Sequence, residues 1–168
     1  MIISLERKNE LEKLYQSFLN NDKIKKMMEI PMHRGSNCYV HSFKVAKLSV
    51  KKALKKKEAN LESIIIASIL HDYYLYDWRK DKERKKNHGK HPFVAAENAK
   101  RDFDISDEVK RIIECHMYPF NKDYKPTTLE EKIVAKCDTK VATIEFFSSA
   151  KHKRRVYQKT LQKIATLF

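Results

Sequence analysis

The chain has 168 residues, 42% of them hydrophobic and 35% charged, with a net charge of +14. That length suits one domain with one substantial core, and two glycines and four prolines exclude both the G-x-G-x-x-G and the G-x-x-x-x-G-K phosphate loops. The charge comes from 28 lysines against 8 arginines, whereas a base-reading surface leans on the forked guanidinium of arginine. Nucleic acid is therefore an alternative partner rather than the favoured one, and a positive field that draws in a small phosphorylated substrate fits equally well.

Sparse turn residues and long stretches of 3.6-residue periodicity predict an all-α bundle of about six to eight helices. Residues 1–30 are expected to form an N-terminal helix, in which Leu5, Leu11, Leu14, Tyr15, Phe18 and Leu19 fall largely on one face. Pro31 and Gly35 break the chain, with Ser36 and Asn37 as candidate caps. A second helix is predicted from about Tyr39 to Lys57, burying Val40, Phe43, Ala46, Leu48 and Val50 and solvating the lysines between 51 and 57. A third, from Leu61 to about Tyr73, is apolar all round and so belongs at the centre.

Arg79 to Lys90 carries seven basic residues against two acidic ones and no periodicity, and is predicted to be an exposed loop. Pro92 suits the first turn of the next helix, where a missing N–H costs nothing, and that helix runs to about Phe103. Ser106 opens another, with Asp107 and Glu108 favouring its N-terminal dipole, and it ends before Pro119. Thr128 and Glu131 form a capping box at the head of a long helix carrying Leu129, Ile133, Val134, Cys137, Val141, Ile144 and Phe147. A basic amphipathic helix over 150–168, with Val156, Leu161, Ile164 and Leu167, closes the chain.

The longest apolar run, Ile64 to Leu70, stops at His71-Asp72, so no membrane span is expected. MIISLERKNE lacks a basic segment followed by an apolar one, and no signal peptide is expected. Cys38, Cys115 and Cys137 are odd in number, sit in apolar surroundings and form no C-x-x-C pair. They read as reduced core thiols of a cytoplasmic protein and not as a zinc knuckle.

The chemistry lies in polar residues set into these apolar helices. A lone histidine or aspartate there is usually a hydrogen-bonded core residue or a cap. The His71-Asp72 doublet changes that reading, because two ionisable groups closing a buried helix are costly without partners, and a divalent cation supplies the missing charge. His41 and Asp138 likewise bring polar groups into two other helices, a common way to build a metal site in an all-α protein.

The order His41, His71-Asp72, Asp138, with YVHSFKVAKLS around the first and IIASILHDYY around the doublet, resembles the HD-domain superfamily of metal-dependent phosphohydrolases. The resemblance spans roughly 33–148. Its H-S-x-x-V-A and L-H-D segments are the most specific parts. HPFVAAENA, IIECHMYP and LEEKIVAKCD resemble the segments that bring His91, His116 and Asp138 into the two-metal subset. Small bacterial stand-alone HD proteins, and next the bacterial hydrolases that cleave diadenosine tetraphosphate symmetrically, are the nearest in pattern.

The resemblance implies a single HD-domain helical bundle and a metal-dependent phosphohydrolase acting on a phosphoester or phosphoanhydride of a small nucleotide. His41, His71, Asp72 and Asp138 would hold one divalent ion, and Asp72, His91 and His116 a second. Fe, Mn, Zn and Mg all suit such ligands. The ions would acidify a shared water for in-line attack on phosphorus, with Asp72 and His71 indispensable to turnover. His88 competes with His91 in H-G-K-H, and Pro92 favours His91.

Candidate substrate contacts are Lys44, one turn beyond His41, Arg79 steadied by Asp77, Arg34 beside His33, and His88. Tyr73, Tyr74, Tyr76 and Trp78 either stack on a base or pack beneath the loop, and His152 is read as a surface residue. The G-Y-P extension of cyclic-di-GMP phosphodiesterases is missing, and Tyr73-Tyr74-Leu75 stands where stringent-response hydrolases carry acids. Two rival readings stay open: a nucleic-acid-associated phosphodiesterase and a non-catalytic metal-binding module.

Overall fold

The computed structural model describes residues 3–32, 36–77, 79–80, 88–147, 159 and 161–168, His88 by its backbone alone. Among these residues the architecture is all-α. The helices are α1 (Leu5–Leu19), α2 (Asp22–Lys25), α3 (Cys38–Ala53), α4 (Leu61–Leu70), α5 (His91–Phe103), α6 (Asp107–Cys115) and α7 (Leu129–Phe147). Short 3-10 turns cover Lys26–Glu29 and His88–Lys90, and 161–164 is helical. No described helix is long and apolar enough to cross a membrane.

Helix starts follow local chemistry. Ser4, Asn37, Asn60 and Ser106 each accept a backbone N–H two or three residues into α1, α3, α4 and α6. Pro92 sits in the first turn of α5. The box at the head of α7 is reciprocal: Glu131 N–H donates to Thr128 Oγ1 at 3.3 Å, and Thr128 N–H to Glu131 Oε2 at 3.3 Å. Glu131 also accepts from Thr127 N–H and is almost fully buried. Glu131→Ala would therefore strand two backbone donors. We expect a loss of roughly 1–2 kcal/mol in urea unfolding; an unchanged midpoint would rule out a capping role.

The helix ends depart from the sequence expectations. The N-terminal region is not one helix, because Asn21 caps a new start at α2. Leu5 is 75% exposed, outside the Leu11/Tyr15/Phe18 stripe that α1 buries. α3 ends at Ala53, with Lys55, Lys56 and Lys57 exposed beyond it. α4 ends at Leu70, so His71 to Tyr74 form a turn rather than a last helical turn. Leu75 follows at φ 56° and redirects the chain towards Asp77 and Arg79. Ile144 and Phe147 are solvent-exposed, because the buried face of α7 passes through Asp138, Val141 and Glu145 instead.

α4 is the central element, as its all-round apolar sequence requires. It packs against α1, α3, α5, α6 and α7, and Ile64, Ile65, Ala67, Ile69 and Leu70 have no exposed surface. The isoleucine and leucine side chains among them each contribute about 1.5–3 kcal/mol on burial. All three cysteines are buried and unpaired. The C-terminal segment lies on α1: Tyr15 Oη donates to the Ile164 carbonyl at 2.7 Å, and Leu167 N–H to Glu12 at 2.9 Å. Ile164 and Leu167 are buried as expected; Val156, His152 and most of the basic 150–160 stretch lie outside the described residues.

Candidate metal centre

Packing α4 at the centre brings its C-terminal turn against α3, α5, α6 and α7, the four elements carrying the other candidate ligands. His41 comes from the first turns of α3, His91 opens α5, His116 caps the end of α6 and Asp138 lies midway along α7. All six predicted ligands, with His71 and Asp72, are buried within one cluster.

The distances divide them into two groups that share Asp72. On one side, His41 Nε2 lies 2.9 Å from Asp138 Oδ1, and His71 Nε2 lies 3.5 Å from that same oxygen. Asp72 Oδ2 faces this group, 3.4 Å from His71 Nε2 and 3.9 Å from His41 Nε2. On the other side, Asp72 Oδ1 lies 3.2 Å from His91 Nε2 and 3.9 Å from His116 Nε2, and these two nitrogens are 3.1 Å apart. The two oxygens of one carboxylate therefore address different sets of imidazoles.

Three imidazoles are fixed in the tautomer a metal needs. His71 and His116 each cap a helix, their Nδ1–H donating to the carbonyl three residues back, Ser68 at 2.8 Å and Ile113 at 2.7 Å. His41 Nδ1–H donates to Glu145 Oε2 at 2.9 Å. A carbonyl or carboxylate on Nδ1 leaves the Nε2 lone pair turned inward, the arrangement that outer partners impose on metal-binding histidines. His71 Nε2 is fully buried and makes no hydrogen bond. An orphaned acceptor beside two carboxylates is costly in a core, and a divalent cation satisfies it. The donor set of imidazole and carboxylate fits such an ion.

The electrostatics ask for positive charge. Burial would raise Asp72 and Asp138, but the surrounding imidazoles outweigh it and hold both below the usual carboxylate range. Burial opposes a charged His41, yet Asp138 and Glu145 push it up to about 10. Burial, with His71 and His91 alongside, pushes His116 down to about 3, so its ring stays neutral. His41 and His71 thus sit among buried carboxylates, where a cation could supply the missing charge.

The substrate candidates separate. Arg79 lines the cavity that opens from the cluster, and Asp77 steadies it, with Nε 3.4 Å from Oδ1. Its guanidinium also donates to the Pro31 carbonyl. Lys44 is not among the residues lining this cavity: its ammonium is 2.7 Å from Oε1 of Glu145, the carboxylate that also accepts from His41. Arg34 and His33 lie outside the described residues, as do Trp78 and the side chain of His88. Tyr73 packs inward, its Oη donating to Asp102, whereas Tyr74, though buried with Oη 3.2 Å from Cys38 Sγ, also lines the cavity.

Glu145 is the site residue that the sequence reading missed. It is 6% exposed and accepts from His41, Lys44 and Ser36 Oγ. Its signal was its spacing: seven residues after Asp138, or two turns of α7, it shares the inward face.

A family model described as HD domain matches residues 38–142 of the chain. No curated protein and no solved structure matches it.

Proposed function

The chain belongs to the HD-domain superfamily of metal-dependent phosphohydrolases, and on that premise we propose that it hydrolyses a phosphoester or phosphoanhydride of a small nucleotide at a two-ion centre. The observation that carries this reading is Asp72, whose two oxygens face separate imidazole groups. In the proposal His41, His71 and Asp138 complete one group, and His91 and His116 the other. Divalent ions bound there supply an acidified water and positive charge towards the phosphoryl oxygens.

The chain's own residues do the rest. Nδ1 hydrogen bonds on His41, His71 and His116 hold three rings in register. Burial leaves the carboxylates little exposed to bulk water, which strengthens the charge interactions there. Arg79, held by Asp77 and the Pro31 carbonyl at the cavity wall, brings a fixed positive charge suited to phosphate.

Metal content tests the proposal. Protein purified without chelator or metal-affinity resin, then reconstituted with Mn, Fe or Zn, is expected to hold about two ions per chain. His91→Ala and His116→Ala should each reduce that to about one. A single ion in the unaltered chain would remove the second group from the metal centre. No ion after reconstitution would leave a non-catalytic module.

A further inference from the structure

The cavity outside the metal centre has a volume of about 600 Å³, within the range of small-molecule sites. Its floor and its rim differ in chemistry. Asp72, His91, His116 and Asp138 form the floor, with Arg79 on the wall. The rim carries Met117, Phe120, Phe146 and Phe147. Phe120 is 80% and Phe147 76% exposed, so neither is there to fill the core, and grouped exposed aromatics beside a cavity signal binding.

α7 runs from floor to rim. Asp138 lies at one end of its cavity-lining stripe and Phe146 two turns on, a rise of about 12 Å at 1.5 Å per residue. Between them stand Thr139, Ala142 and Thr143. Both threonine hydroxyls donate into the helix itself, to Ala135 O at 2.9 Å and Thr139 O at 2.7 Å. Their protons are therefore engaged within the helix, and the described lining contains no Asn, Gln or Ser. Tyr118 and Tyr74 bring the tyrosine hydroxyls of the described lining, that of Tyr74 lying 3.2 Å from Cys38 Sγ.

From this we infer that the recess takes a nucleotide whose base stacks on the aromatic rim without a hydrogen-bonded reading of its edge, so that purine and pyrimidine nucleotides are accepted alike. The inference rests on the phosphate-directed reading of the floor given above. Aromatic stacking is tolerant of base identity because every base presents a π-face, and an apolar wall rejects few isosteres.

The test is calorimetric binding of AMP, GMP, CMP, UMP, glycerol phosphate and hexyl phosphate to the Mn-reconstituted full chain, with hydrolysis followed in parallel. We expect the four nucleotides to bind within about tenfold of one another and both non-aromatic phosphates to bind more than tenfold more weakly. Phe120→Ala and Phe147→Ala should each weaken the nucleotides by about fivefold or more, leave glycerol phosphate unchanged and leave the melting temperature unchanged. A preference above 100-fold for one base would overturn the inference. So would hexyl phosphate binding as tightly as the nucleotides, or nucleotide affinities indifferent to both substitutions. The expected binding pattern without cleavage of any phosphoester would sink the hydrolase reading and leave this inference standing.

Discussion

Asp72→Asn is expected to lower turnover by more than about 100-fold, beyond what altering an outer partner costs a metal site, because Asp72 would touch the ions directly. The reason is its double contact. Oδ1 faces His91 and His116, Oδ2 faces His71 and His41, so one substitution weakens both groups. Asparagine keeps the side-chain shape, and the surrounding apolar core is untouched. Helical content should therefore persist, while bound metal falls below that of the unaltered chain. Turnover and metal content should fall together. An Asp72→Asn protein with near-normal activity would mean that the chemistry lies elsewhere; one that keeps both ions but loses activity would give Asp72 a role beyond holding metal.

Much of this centre was legible in the sequence because its cues are local. A histidine and aspartate ending the apolar run Ile64 to Leu70 are conspicuous in any helical protein. Ser106, Pro92 and the Thr128/Glu131 pair mark helix starts through hydrogen bonds spanning two or three residues. The misreadings share a different cause. The expected extension of α4 to Tyr73 failed because His71 caps the helix through its own side chain, which periodicity does not register. That early stop is what frees Asp72 to face the centre.

Glu145 was missed, and the partner of Lys44 not foreseen, because their contacts are tertiary. His41 and Lys44 lie on α3 and Glu145 on α7, and only the packing of those helices makes a chain of the three. Helical spacing put Lys44 near His41, correctly, but not on which side of the ring it sits. The apolar residues of α7 drew attention to Ile144 and Phe147, which are exposed, and away from the acid between them.

Glu145→Gln is expected to weaken metal binding at the His41 group by about 10–100-fold, the usual loss when a histidine ligand's outer partner is altered. Glutamine can still accept from His41 Nδ1, but without the negative charge that makes the ring a stronger donor, and without the ion pair to Lys44 at 2.7 Å. Glu145→Ala goes further, leaving the buried Nδ1–H of His41 without its acceptor, and should also cost roughly 1–3 kcal/mol of stability. Lys44, partly exposed, can be rehydrated, so Lys44→Met should have the smaller effect. Mn affinity by calorimetry, alongside melting of the metal-free protein, separates two roles. If Glu145 orients His41, Glu145→Gln lowers affinity while the metal-free melting temperature changes little, and Glu145→Asp recovers part of the affinity. If Glu145 only ties α7 to α3, melting falls and Mn affinity stays at its original value. The hydrogen bond to the ring nitrogen opposite Asp138 favours the first outcome, because a tie between helices alone has no need of that nitrogen.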